Sequence, residues 1–190
     1  MNKNSRNKVS DEMLVSQYLL TQQQWYFNEL YERYSPKVFA KCIALLKDEV
    51  WAQDALQDIF IKVVLRLSDF GERSKFSTWL YSITYNYCID QVRKRKYDVL
   101  MPDESWDHLD VSDETADDKY LLETKIQELK VVMVELPVTD RVLLLMKYQD
   151  DLSIRDIAES MNKTESAIKM QLLRAKAKFK NLHEKLFKHQ

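Results

Sequence analysis

One glycine, Gly71, occurs in a chain of 190 residues, and only three prolines accompany it. Glycine averages roughly 7% of ordinary proteins, where it serves the turns, bulges and close backbone approaches that sheets need. A chain this poor in glycine is left with helices and short polar connections. Apolar residues recur at a period of 3.6 almost throughout and alternate with period two almost nowhere, so an all-α fold is expected. The prolines stand at boundaries: Pro36 after Ser35, a pair that reads as N-cap and first helical position, Pro102 in an acidic segment, and Pro137 between two apolar helices. Helices are expected at about 11–20, 22–34, 36–46, 49–67, 77–95, 120–135 and 139–148, with Thr21 and Gln24 as a capping box.

The stretch 152–182 constrains function most. Ser153 and Asp156 form a capping-box pair at a helix start, and Ile154, Ile157, Ala158 and Met161 supply one apolar stripe. Asn162 falls where the chain must turn, and Asn tolerates the left-handed conformation. Thr164 then caps a second helix whose Ile168, Leu172, Ala175, Phe179, Leu182 and Leu186 step by fours and threes along one face. Lys163, Ser166, Lys169, Met170 and Arg174 point away from that face. Between Lys163 and Lys188 there are eight Lys or Arg against two Glu, a local charge of +6. A charged helical face is most often simply solvated. Here cap, turn, buried stripe and cationic front coincide, the pattern of a helix-turn-helix entering a DNA major groove.

The overall net charge of −1 conceals this segregation. Residues 98–118 hold nine acidic residues, no Lys or Arg, and Pro102, the composition of an extended, flexible linker. Residues 1–10 read as a flexible tail with no apolar run, so no signal peptide is expected, and no segment has the length and apolarity of a membrane span. A soluble cytoplasmic protein of two small helical domains is expected, at 11–97 and 119–187. Cys42 and Cys88 lie on apolar helical patterns without metal-ligand spacing, as buried free thiols do in a reducing compartment. His108, His183 and His189 are scattered and read as structural or solvent-facing.

Two surfaces of the first domain stand out. On one helix Ala55, Leu56, Ile59, Phe60, Val63, Val64 and Leu67 make a core face, and Asp54, Gln57, Asp58, Ile61 and Leu65 lie opposite. Carboxylates beside outward Ile and Leu suit docking on another protein, although Ile61 and Leu65 packed beneath the N-terminal helices would give the same pattern. In the other surface, Trp79, Tyr81, Tyr85, Asn86, Tyr87 and Asp90 precede Arg93-Lys94-Arg95-Lys96. Aromatics with flanking cations suit stacking on unpaired bases, and the same aromatics serve equally as core. A polar loop holding Gly71 and bracketed by Phe70 and Phe76 leads into this helix.

Taken together these segments resemble the extracytoplasmic-function (ECF) sigma factors of the sigma-70 family, over nearly the whole chain after the first ten residues. The early helix Phe27-Asn28-Glu29-Leu30-Tyr31-Glu32-Arg33-Tyr34 is similar to the family's. Ala52-Gln53-Asp54-Ala55-Leu56-Gln57-Asp58-Ile59-Phe60 resembles its polymerase-clamp-binding segment. Phe76-Ser77-Thr78-Trp79-Leu80 with Asn86, Asp90 and Arg93-Lys94-Arg95 resembles the part that opens and reads the minus-ten element. Leu136-Pro137 and Leu152-Ser153-Ile154-Arg155-Asp156-Ile157-Ala158 lead into a domain similar to the one that reads the minus-thirty-five element. Each motif is weak and their order and spacing are strong.

The resemblance implies a dissociable RNA polymerase subunit with no catalysis of its own, no cofactor and no metal. Its partners would be core RNA polymerase, promoter DNA and an anti-sigma factor of the kind many relatives have; no small-molecule substrate and no membrane insertion are expected. It assigns Asp54, Gln57, Asp58, Ile61 and Leu65 to the polymerase. The minus-ten element falls to Asp69, Phe70, Ser74, Lys75, Asn86, Asp90, Arg93, Lys94 and Arg95, the loop capturing a flipped base. The minus-thirty-five element falls to Lys163, Thr164, Ser166, Ala167, Lys169, Met170 and Arg174. The acidic linker would pass through the polymerase's nucleic-acid channels, and in the free protein it would cover the basic surfaces. Departures occur at Asn162, Ser166-Ala167 and Met170-Gln171, where the family often has Gly, Gly-Thr and Ser-Arg, so the promoter sequence is not inherited. A stand-alone helix-turn-helix regulator is the rival reading. An enzyme with a DNA-binding appendage is the other, and no metal-spaced cluster, nucleophile with a base, or Gly-rich phosphate loop speaks for it.

Overall fold

The computed structural model describes residues 9–71, 74–98 and 117–187. These residues form eight α-helices: α1 (Asp11–Thr21), α2 (Gln24–Leu46), α3 (Glu49–Leu65), α4 (Phe76–Asp98), α5 (Asp117–Glu135), α6 (Val138–Leu144), α7 (Ile154–Ser160) and α8 (Glu165–Phe187). A 3₁₀ turn, Leu67–Phe70, follows α3, and a wide π-type turn, Leu145–Gln149, follows α6. Residues 1–8 of the expected tail and most of the acidic linker lie outside the described residues, while Ser10, expected in the tail, caps α1. The linker is shorter than expected at its far end, because α5 already begins at Asp117.

Helices α1–α4 build the first half around α2, which packs on α1, α3 and α4. Phe27, Leu30, Tyr34, Val38, Cys42 and Leu45 line its buried stripe. Helices α5–α8 build the second half, with Val142, Leu143, Met146, Ile157, Ile168, Leu172 and Ala175 at its centre. Lys178 of α8 pairs with Asp140 at 2.5 Å, and His183 lies 2.9 Å from Glu128 of α5. The two halves also meet. Helix α4 packs on α6 and α7, and α2 touches α6, so one apolar core runs through both.

The rarity of glycine has a visible consequence at the helix ends. Gln22 (φ 54°), Lys47 (φ 61°), Asp151 (φ 51°) and Asn162 (φ 50°) take the left-handed conformation that glycine ordinarily supplies, alongside Gly71 (φ 53°). In α1 and α2 the left-handed residue turns its N–H back to the carbonyls of Tyr18 and Ile43, closing the last turn. Asn162 behaves as its position requires, and the Ser153–Asp156 capping box is complete.

Three local expectations are corrected. Ser35 and Pro36 start no helix: α2 runs unbroken through Pro36. The proline removes the bond to the carbonyl four residues back, a loss of roughly 3 kcal/mol in a helix interior. Burial of Tyr34 and Val38 on either side holds the helix together across it. Thr21 and Gln24 form no capping box; the Thr21 hydroxyl donates to Gln17 O at 2.7 Å, and α2 begins without a side-chain cap. Helix α3 ends at Leu65, and Val64, expected inside, is 38% exposed.

Because Pro36 is exposed and its ring packs in no core, Pro36→Ala should restore the missing helix bond and stabilise the protein by about 1–2 kcal/mol, after the entropy that proline removes from the unfolded chain. Urea denaturation followed by helical circular dichroism measures it; an unchanged or lower midpoint would show that the break is built into the packing.

Candidate nucleic-acid interface

Helix α8 meets its expected geometry up to Leu182; Leu186, expected on the buried face, is 38% exposed. Ile168, Leu172 and Ala175 are buried against α6 and α7, and Phe179 and Leu182 pack at the edge of that core. Lys163, Thr164, Ser166, Lys169, Met170 and Arg174 are exposed on the front, and Ala167 is half-buried at the helix start. The Thr164 hydroxyl accepts the Ala167 N–H at 3.2 Å, as a cap should. Lys163 donates to Gln171 Oε1 at 2.9 Å, spanning two turns of this front. Small and cationic groups thus stand forward of a helix held by its back.

Helix α3 turns outward all five residues expected to dock a protein. Asp54, Gln57 and Asp58 are exposed, Ile61 is 57% exposed and Leu65 75%, so the two apolar residues do not pack beneath the N-terminal helices. Asp58 is not free. The Tyr87 hydroxyl on α4 donates to its Oδ2 at 2.5 Å, and Lys62 sits over the Tyr87 ring at 5.5 Å. Burial first, and then this bond to a carboxylate, push the Tyr87 phenol well above its ordinary range. The contact ties the α3 face to the neighbouring α4 surface.

The residues expected at the minus-ten element separate into three groups. Ser74, Asn86, Asp90 and Lys94 line one groove, together with Lys62, Arg66 and Trp79. Arg95 stacks over Trp51 at 4.9 Å and, together with Lys94, borders a second depression beside Asp48 and Asp54. Asp69, Lys75 and Arg93 are exposed outside both, Asp69 lying 3.5 Å from Arg66. Phe70 is the departure. It is 4% exposed and packs edge-on against Phe76 at 5.7 Å and beside Trp79 at 5.6 Å, so its ring anchors the loop and does not face a ligand. The other end of the loop is fixed from α1, where Glu12 accepts the Phe76 N–H at 3.2 Å.

Several polar residues that organise these surfaces went unmarked by any motif. Lys41 of α2 donates to Asp150 Oδ1 at 2.5 Å and to the Tyr85 hydroxyl at 3.1 Å, and Tyr85 donates to Asp150 Oδ2 at 2.5 Å. Burial, followed by the Asp150 charge, holds the Tyr85 phenol far above its usual range; the same causes raise Tyr81 to about 12. Arg141 of α6 donates to three carbonyls, Val134 and Leu136 in its own half and Ala44 in the other, and burial lowers its affinity for the proton. Lys41 did leave a signal, since 38, 41, 42 and 45 share one helical stripe and only Lys41 among them is charged. Cys42 and Cys88, 46 positions apart, touch at 3.9 Å between Sγ atoms in the first-half core. Contact with Cys42 and then burial push the Cys88 thiol up, away from reactive thiolate. Among the described residues no group of three or more His, Cys, Asp or Glu could hold a metal, and no helix is long and apolar enough to cross a membrane.

Two family models match the chain: sigma-70 region 2 over residues 30–97 and sigma-70 region 4 over residues 126–179. The ECF RNA polymerase sigma factor SigW of Bacillus subtilis (strain 168) is 28% identical over 158 residues, covering 79% of this chain and 84% of that protein. SigM of the same organism is 28% identical over 158 residues, covering 83% and 95%. In fold, the chain is similar to the sigma factor RpoE of Bartonella quintana, solved with the anti-sigma factor NepR, at a TM-score of 0.64 and 22% identity over 82% of this chain and 95% of that one. The chain belongs to the sigma-70 family and is an RNA polymerase sigma factor of the ECF type. The reading as a stand-alone regulator is not favoured.

If Phe70 is an anchor, Phe70→Ala should destabilise the protein by about 3–5 kcal/mol, the usual cost of emptying a buried aromatic site. Chemical denaturation of the full chain reads this directly. A loss below about 1 kcal/mol would return Phe70 to the candidate base-contacting residues.

Proposed function

We propose that this chain works as a dissociable specificity subunit in the cytoplasm. It docks on core RNA polymerase through the outer face of α3, grips the minus-thirty-five element with α8, and engages the minus-ten strand with the loop before α4 and with α4 itself. The modules carrying these tasks are residues 11–97 and 119–187, and the acidic segment between them follows the polymerase's nucleic-acid channels. The subunit performs no chemistry; phosphoryl transfer belongs to the polymerase. The observation that carries the reading is the construction of α8. Its apolar face is buried while Lys169, Met170 and Arg174 stand exposed on a helix opened by a left-handed turn. That arrangement fits a major groove, with cations for phosphates and a polarizable Met170 for base edges. An anti-sigma partner is also proposed, because the fold neighbour RpoE was solved with the anti-sigma factor NepR. Transcription in vitro with purified core polymerase tests the reading as a whole, and absence of promoter-dependent transcripts would refute it.

Two substitutions test its parts. Reversing the charge in Asp58→Arg should weaken core-polymerase binding by about 2–5 kcal/mol if the pair it joins is buried in the complex. Titration against core enzyme reads it, and unchanged affinity would remove α3 from the interface. Lys169→Ala and Arg174→Ala should each weaken holoenzyme binding to a promoter. Each should also flatten the dependence of log affinity on log salt by about one unit per lost phosphate contact. A steeper or unaltered slope would move these cations off the phosphates.

A further inference from the structure

We propose that the front of α8 reads thymine methyl groups through an apolar ridge built on Met170 and Leu173, so that the preferred upstream element carries thymines in register with that ridge. The proposal rests on the reading of α8 as the helix that enters the major groove. Leu173 belongs to no motif and to no cationic pattern, yet it is 58% exposed beside Met170 at 50%. Ser166, Met170, Leu173 and Ala177 step by four, three and four, so they stand one above another along the helix. All four are exposed, on the side opposite the buried Ile168, Leu172 and Ala175.

Cations follow the ridge on both flanks. Lys169, Lys176 and Lys180 run along one side, by steps of seven and four. Arg174, Lys178 and Lys185 run along the other by four and seven, Lys178 also pairing with Asp140. No acidic residue falls between Glu165 and Glu184. A helix with its side chains is about 10–12 Å across and the major groove of DNA about 12 Å wide. Seated there, the two cationic flanks face the two phosphate backbones and the ridge faces the base edges. A protein partner would have to offer two acidic rims on either side of an apolar floor, whereas any DNA duplex supplies the rims. Lysine is also depleted at the centres of protein interfaces.

The floor contact is then fixed by what the ridge lacks. After Ser166 it holds no N–H or O–H group. Gln171, an amide in the same turns, is half-buried and its Oε1 accepts the Lys163 ammonium at 2.9 Å. In the major groove the one apolar group that distinguishes a base is the C5 methyl of thymine. Pressing Leu173 against the amino group of cytosine or the O6 of guanine would strip water from a polar atom and return no hydrogen bond, so those pairs are disfavoured too. Met170 is flexible enough to follow the groove, and the branched Leu173 sets the register.

The test uses the full chain in holoenzyme with core polymerase, and promoter duplexes recovered from a library randomised over the upstream element. In a recovered duplex each thymine is replaced in turn by deoxyuridine, which deletes the methyl group and keeps every hydrogen-bonding atom. One or two positions should each lose affinity about threefold to fivefold, the worth of one buried methyl. The variant Met170→Ala, Leu173→Ala should bind the thymine duplex as weakly as the wild type binds the uracil duplex, and uracil should cost it nothing further. Both side chains are at least half exposed and alanine favours helix, so the fold is kept. Equal wild-type affinity for thymine and uracil duplexes would overturn the proposal, as would a uracil loss that persists in the double variant. Weaker binding of the double variant to core polymerase without DNA would make the ridge a protein contact and overturn it as well. Lys169→Ala separates the two levels of failure. If it weakens promoter binding while uracil has no effect, α8 lies in the groove and only the methyl reading falls. If neither Lys169→Ala nor the double variant changes promoter binding, both fall.

Discussion

A lysine buried in the apolar stripe of the central helix is the constraint on which the assembly of this chain depends. The Lys41 ammonium stands among Val38, Cys42 and Leu45 and needs a hydrogen-bonding partner there, and its own half offers it only phenols and ring faces. The carboxylate comes from Asp150, beyond the acidic segment, held by a wide turn and a left-handed residue that aim it back at α2. Arg141 adds a second tie of the same logic, a buried guanidinium satisfied by carbonyls from both halves. Polar groups that must find partners thus pin two modules together across one continuous apolar core.

The first half is organised by comparable bonds at smaller scale. Arg33 of α2 donates to Asp11 at 2.8 Å and to the Val9 carbonyl at 2.9 Å, and the Tyr34 hydroxyl donates to the other Asp11 oxygen at 2.5 Å. These fix α1 across the start of α2. From there Glu12 reaches the first N–H of α4. The loop containing Gly71 is therefore clamped at both ends, by the Phe70–Phe76–Trp79 cluster within and by Glu12 outside, which is what a presented loop requires.

The helical class, the helix-turn-helix and the outward face of α3 were legible because each is a local, periodic property. The stripe 168–172–175–179–182 and the capping box need no knowledge of the rest of the chain. Errors fell where tertiary contacts outweigh local preference. Pro36 sits inside a helix because packing on both flanks holds it, and Thr21 bonds back to Gln17 in place of capping forward. Phe70 carries the right residue type for nucleic acid, yet the core takes it, while Arg95 stays exposed and stacks on Trp51. The contact of Cys42 with Cys88 and the salt bridge of Lys41 with Asp150 join residues 46 and 109 positions apart, beyond any periodic signal.

The two proposed DNA-reading surfaces are joined through one helix, α7. The front of α8 stays open: Lys169, Met170 and Arg174 are exposed while the halves are in contact. The groove on α4 has α7, the helix that packs against α8 and supports it, along one side, and its Lys62, Arg66, Asp90 and Lys94 are exposed as well. Moving α7 off α4 carries α8 with it. The spacing between the two surfaces is therefore set by where α7 sits on α4. Linker charge alone would couple the two surfaces loosely, through screening that varies with salt. A rigid helix pair couples them mechanically, and such coupling is reciprocal, so binding at either surface favours the arrangement that suits the other.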